Sequence, residues 1–202
     1  GDEIDCGDSA SFSFGNGTTD DPFSISFWVN FNSVSGTQGL VTKDNGTYRE
    51  WAIILYSGKI RAFLKDAPLM AAQQSIDTTL VPVIDTWYYV TFTYDGVGGS
   101  NAADGMKFYI NGIFDPPTNV VKDAYQAMDA TTAPVRVGQG FTTYQFNGKA
   151  SNVAIFDSEL SSANALTIYN NGRPADLTSL SPIAWWRLGE NASFDGSDWT
   201  VP

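Results

Sequence analysis

The sequence predicts an all-β protein, two antiparallel sheets stacked as a jelly-roll sandwich with one short helix. Three observations predict it. Hydrophobic residues alternate with period two over most of the chain, as half-buried strands require. Turn dipeptides tolerant of positive φ punctuate those segments: Asn45-Gly46, Ser57-Gly58, Asp95-Gly96, Asn111-Gly112, Asn147-Gly148 and Asn171-Gly172. A chain of 202 residues, 43% hydrophobic and 16% charged, has the size and apolar content of one domain with a sizeable core. Many short strands at such spacing read as a sandwich or jelly roll rather than as βαβ units.

In chain order, the first strand with a clear buried face is Phe23-Ser24-Ile25-Ser26-Phe27-Trp28-Val29-Asn30-Phe31, whose odd positions are all apolar. Shorter candidates follow at 39–42, 51–56, 59–64 and 75–80. In the strand at 87–94, Tyr88, Val90, Phe92 and Tyr94 share one face and Tyr89, Thr91 and Thr93 the other. Further strands are expected at 106–111, 134–138, 148–156 and 183–188, with loops at 95–105 and 114–133. The helix is expected at 158–169, with capping residues at its start, apolar groups at helical spacing and Asn171-Gly172-Arg173-Pro174 to stop it. One domain spans 1–202, with its core at about 3–172 and a C-terminal extension at 173–202. Trp185 and Trp186 face opposite ways on any strand. Either the tail belongs to a following repeat or it folds back onto the sandwich; left in solvent it would forgo about 1.5–3 kcal/mol of burial for one ring, so fold-back is the expectation.

Composition removes several functions. The chain has no histidine, the commonest general base and transition-metal ligand, and its single cysteine builds neither a zinc cage nor an internal disulfide. Cys6 is expected to be a buried free thiol. Eleven basic residues are scattered among twenty-two acidic ones, a net charge of −11 with no footprint for a phosphate backbone. Nucleic acid is therefore not expected as a partner. No run of eighteen apolar residues would insert in a membrane, and Gly1–Asp5 lacks the basic and apolar regions of a signal peptide. A fragment or processed product of a longer extracellular, secreted or virion-surface polypeptide is the expectation.

The order of segments resembles that of the laminin G-like, concanavalin A-like lectin domains, in their pentraxin-like branch. The resemblance is carried by Phe23 to Val29, Gly39-Leu40-Val41-Thr42-Lys43-Asp44, Trp51 to Leu55 and Gly58-Lys59-Ile60-Arg61 in the first half. It continues through Trp87 to Gly96, Met106 to Gly112, Val135-Arg136-Val137-Gly138, Phe146 to Phe156 and the helix from Ser158. The resemblance covers residues 3–172 and implies two stacked antiparallel sheets that bind carbohydrate or protein partners. It also implies calcium as the inorganic partner, with Asp44 and Asp129 at the matching ligand positions, carbonyls near the end of the 60–64 strand completing the shell, and Asn16, Asp20 and Asp21 as a second acidic loop.

Sugar sites need flat rings for the apolar face of a pyranose, and amides or carboxylates for its hydroxyls. Tyr48, Tyr125, Phe141 and Tyr144 lie beside turns, with Gln139 and Asn147 among the accompanying amides, and 139–145 is the best single candidate loop. The alternative is that these rings cover the ends of the core. Trp28, Trp51 and Trp87, at strand positions, are expected to be packing residues. Glu3-Ile4-Asp5-Cys6-Gly7-Asp8 superficially matches the paired-carboxylate signature of family 16 glycoside hydrolases. It ends in Asp8, a methylene short, and sits at the N-terminus rather than on a central strand. The expected function is a non-catalytic module binding a glycan or surface polysaccharide. The alternative is a structural or adhesion domain contacting other subunits of a virion or cell surface, and the remotest reading is glycan cleavage through Glu3 and Asp5.

Overall fold

The computed structural model describes residues 3–66 and 72–188, and the backbone of a terminal ribbon at 193–194 and 199–200. In chain order the strands are β1 (Ile4–Asp5), β2 (Phe23–Phe31), β3 (Gln38–Asp44), β4 (Arg49–Tyr56), β5 (Lys59–Lys65), β6 (Gln73–Asp77), β7 (Trp87–Tyr94), β8 (Met106–Ile110), β9 (Ile113–Asp115), β10 (Thr118–Lys122), β11 (Val135–Val137), β12 (Gln139–Gly140), β13 (Tyr144–Gln145), β14 (Gly148–Phe156) and β15 (Ala184–Trp186). One α-helix, α1 (Ser162–Tyr169), lies among the described residues, and no helix among them is long and apolar enough to cross a membrane.

Thirteen of these strands form two antiparallel sheets, seven in the order β1-β11-β3-β4-β5-β6-β10 and six in the order β15-β14-β2-β7-β8-β9, and β12 and β13 pair as a separate ribbon. The period-two faces read from sequence meet between them. Phe23, Ile25, Phe27, Val29 and Phe31 join Val90, Phe92, Tyr94 and Phe108 on one side, and Val41, Trp51, Ile53, Leu55, Ile60 and Leu64 on the other, in one buried cluster. This burial is the main stabilising term.

The outer face of the six-stranded sheet is roofed. Trp28, Tyr89, Ala154 and Phe156 pack under Leu160, Ile168 and Leu177 from α1 and the segments around it. The helix starts later than the sequence predicts. Ser161 caps it, its hydroxyl accepting from the Asn164 N–H while the Asn164 side chain accepts from the Ser161 N–H. Ser158 is instead tied to the sheet, its carbonyl accepting from the Ser24 hydroxyl at 2.8 Å. Asn170 ends the helix in the left-handed region at φ 49°.

The C-terminal segment pairs as β15 against β14, with Trp186 opposite Val153 and Ala184 opposite Ile155. Trp186 packs inward with its ring 5.9 Å from Phe12, and Trp185 packs outward with the Trp28 cluster.

The segment expected as a loop at 114–133 holds two strands. β9 pairs with β8, and β10 forms the far edge of the seven-stranded sheet against β6. Pro116-Pro117 precedes β10, Asn119 sits at φ 48°, and the register slips between Thr118 and Val121, so no clean alternation marks it.

Candidate functional site

The outer face of the seven-stranded sheet carries a cleft of about 480 Å³, lined by Arg49, Tyr56, Arg61, Phe63, Lys65, Gln73, Phe141 and Tyr144 with Thr37, Ile54 and Thr143. Three devices build it. On β5, alternation sends Ile60, Ala62 and Leu64 to the core and Arg61, Phe63 and Lys65 outward. On β4, a bulge changes which side chains face out. Lys43 is opposite Trp51 while Asp44 is opposite Arg49, so Glu50 is an extra residue. Glu50 therefore turns inward, accepting from Ser13 and Thr131 beside Lys43, and Arg49 joins Ala52, Ile54 and Tyr56 on the outer face.

The third device is the β12–β13 ribbon, which lies across β3. An idealised Cβ on Gly39 would fall 2.0 Å from the Gly140 nitrogen, so this crossing requires glycine. The Thr42 hydroxyl donates to the Gln139 carbonyl at 2.8 Å, and Arg136 Nη1 donates to Gln139 Oε1 at 2.8 Å. At the tip, Phe141 and Thr142 both take the left-handed backbone, φ 50° and 62°. For a β-branched threonine that conformation is strained. It lays the Phe141 ring on Phe63, centroids 5.6 Å apart and 29° between planes, with the Arg49 guanidinium 4.2 Å from its centroid and Tyr144 edge-on at 5.4 Å. The Arg61 guanidinium covers Tyr56 at 4.1 Å while donating through Nη2 to Asp77 at 3.0 Å.

Two of the six predicted sugar contacts, Phe141 and Tyr144, line this cleft. Gln139 supports the ribbon from below and is buried. Tyr48 is exposed on the β3–β4 turn, held by its N–H donating to Asn45 Oδ1. Asn147 lies past the ribbon, its side chain accepting from Asn32. Tyr125 corrects the sequence reading. It is 3% exposed, and its hydroxyl donates to Asp20 Oδ2 at 2.6 Å, alongside that of Tyr94 at 2.8 Å, while the Met128 N–H donates to Oδ1. Asp20 is thus an internal hub, and burial pushes its carboxyl above the usual range. Trp87 also departs from expectation. Trp28 and Trp51 pack in the interior, whereas Trp87 is 44% exposed.

Asp44 and Asp129 do not fit a calcium site as arranged. The Asp44 carboxylate is buried, one oxygen accepting from the Gly46 N–H and the other 3.4 Å from Arg49 Nε. Asp129 faces Gly17 and Asp66 instead. In the second acidic loop, Asn16 Oδ1 accepts from the N–H groups of Thr18 and Thr19. Among the described residues, no group of three or more acidic or cysteine side chains is placed to hold a metal ion. Cys6 is a half-buried free thiol, pushed up to about 12 by burial and by Asp5. Glu3 and Asp5 lie exposed at the β1 edge, Asp5 accepting from the Gly7 N–H, and neither lines the cleft.

A family model of the laminin G type, described as the concanavalin A-like lectin/glucanases superfamily, matches residues 6–165. The chain belongs to that superfamily. Its architecture agrees with solved structures at low identity. A Bacteroides ovatus protein to which carbohydrate binding has been ascribed superposes with a TM-score of 0.62 at 14% identity, over 94% of this chain and 51% of that one. A heptameric SAP-like pentraxin of Limulus polyphemus gives 0.55 at 15% identity, over 99% and 91%. The structure of a botulinum neurotoxin type C, whose cell entry depends on two ganglioside molecules, gives 0.54 at 19%, over 78% and 37%. This chain thus spans about half the length of the first and little over a third of the toxin. A search of curated proteins finds no match.

Proposed function

We propose that this domain is a non-catalytic glycan-binding module of a secreted or surface-displayed protein, and that the cleft between β4, β5 and the β12–β13 ribbon is its site. The observation that carries the reading is the lining itself. Tyr56 and Tyr144 are its exposed rings, backed by the Phe63–Phe141 stack, and Arg49, Arg61, Gln73 and Thr143 bring polar groups to the same 480 Å³. A pyranose needs that mixture, one apolar face and a rim of hydroxyls. The carbohydrate binding ascribed to the Bacteroides ovatus relative and the membership in a lectin superfamily support it. The exposed edge position of Glu3 and Asp5, outside the cleft, supports binding without cleavage.

The test is a glycan array followed by calorimetry on the best hit. Tyr144 is 41% exposed and removable without opening the core, so Tyr144→Ala is expected to weaken binding by about tenfold or more. Tyr48→Ala, outside the cleft, is the control. Binding that survives Tyr144→Ala unchanged, or that Tyr48→Ala removes, would place the site elsewhere.

A further inference from the structure

Away from the cleft, three ionisable side chains converge: Lys43 on β3, Glu50 at the β4 bulge and Asp8 just after β1. We infer that Lys43 and Asp8 become joined by an amide bond between Nζ and Cγ, with Glu50 relaying the protons, so that the N-terminal segment is covalently tied to β3. The geometry brings the reactants together. The side chains of Lys43 and Glu50 are fully buried, and that of Asp8 closes the group from outside at 36% exposure. Lys43 Nζ lies 2.8 Å from Asp8 Oδ1 and 3.4 Å from Glu50 Oε1, and donates to the Ala133 carbonyl at 2.6 Å. Contact this close replaces a bimolecular encounter. The outer position of Asp8 gives the leaving water a way into solvent.

A proton passing from Lys43 to Asp8 along their hydrogen bond leaves a neutral amine and a neutral acid, a pair less costly in a dry interior than two ions. The Nζ lone pair then forms the bond to Cγ. Burial holds the Glu50 carboxyl above its usual range, so it has a proton to give. That proton goes to the departing hydroxyl, which leaves as water, and Glu50 takes one back from the nitrogen. Glu50 ends unchanged, one water is released and no co-reactant is consumed. Its Oε1 is already engaged by Ser13, Thr131 and Lys43, whereas Oε2 is buried with no hydrogen-bond partner and is the oxygen free to carry the proton. The amide N–H that remains keeps the Ala133 carbonyl as its acceptor. β1 pairs with β11 through only Ile4 and Asp5. The bond would fasten this weakly held end, closing a loop that takes in all of β2.

The experiment is an intact-mass measurement on the whole chain after denaturation. The chain is expected to be lighter than its sequence mass by one water, and fragmentation of a digest should find a branched peptide joining Asp8 to Lys43. Lys43→Arg and Glu50→Gln should each restore the full mass, with circular dichroism showing that the variant is folded. A parent chain of full sequence mass overturns the inference and leaves the cluster an ion-pair network. A lost water that persists in Lys43→Arg, or that maps to a peptide without Lys43, marks a cyclic imide and overturns it as well. Cross-linking at the parental level in folded Glu50→Gln overturns the role of Glu50. Weighing the unaltered protein keeps the answer independent of whether either variant folds, and neither outcome bears on glycan binding.

Discussion

Replacing Phe141 by alanine tests how the cleft is made, because one ring joins three contacts. It stacks on Phe63 at 5.6 Å, meets Tyr144 edge-on at 5.4 Å and lies under Arg49 at 4.2 Å. An aromatic pair contributes about 0.5–1.5 kcal/mol, and a cation–π contact at an accessible site ~0.5–1 kcal/mol. The contacts share one side chain and do not simply add, so the loss is set at about 2 kcal/mol. For a chain of this size that lowers Tm by roughly 4–8 °C. Phe141→Gly removes the same contacts but meets no Cβ penalty at φ 50°. A left-handed non-glycine residue costs roughly 1–2 kcal/mol and the freedom of glycine about 0.5–1 kcal/mol. The glycine variant should therefore melt above the alanine variant, reversing the usual order for strand-linked positions. Thermal and urea unfolding followed by circular dichroism reads both. An alanine variant as stable as the parent, or a glycine variant below it, would refute the account of the ribbon tip as strained and pinned by its ring.

Asp20→Ala leaves the hydroxyls of Tyr94 and Tyr125 and the Met128 N–H facing a void. At about 1–3 kcal/mol for each stranded donor, a loss of ~3 kcal/mol or more is expected in urea unfolding, and a loss near zero would deny the hub its role. Burial raises the carboxyls of Asp20, Asp44 and Glu50 above their unfolded range. The native state then holds those protons more tightly than the unfolded chain. Their stabilising contribution is complete below the unfolded carboxylate range and is lost as pH rises through the raised values. Tm is therefore expected to be higher near pH ~5 than near pH ~8, and a fall on mild acidification would contradict it. Because Asp44 is held by Arg49 and Gly46, adding calcium or a chelator should leave Tm unchanged; calcium stabilisation that Asp44→Asn abolishes would show that the carboxylate can be released.

The sandwich was readable because burial imposes a period on sequence. β2, β7 and β14 form where alternation places them, Phe23–Phe31, Trp87–Tyr94 and Gly148–Phe156. Where the period is broken the reading fails. β10 hides behind Pro116-Pro117 and a bulge at Asn119, and the helix cap falls at Ser161 because Ser158 is claimed by Ser24. At the site, Phe141 and Tyr144 were legible as rings beside a turn. Tyr125 looked the same in sequence, and only the Asp20 carboxylate it meets across the fold puts it inside. The strand-borne half of the cleft was missed, although Arg61, Phe63 and Lys65 stand on the outward face that alternation itself assigns. A phenylalanine among basic residues on such a face was the available signal. Arg49 gave none, since its direction depends on a bulge that pairing creates.

That bulge makes the polarity of the cleft a matter of residue counting. Arginine and glutamate stand side by side at 49 and 50, and the one supernumerary position in β4 decides which of them looks outward. Losing one residue between Asp44 and Glu50 would turn Glu50 to the cleft in place of Arg49, leaving Arg61 and Lys65 as its cations and taking from Lys43 the buried carboxylate beside it. An insertion or deletion in this turn thus changes the charge facing the cleft, a change that comparing residue identities column by column would overlook.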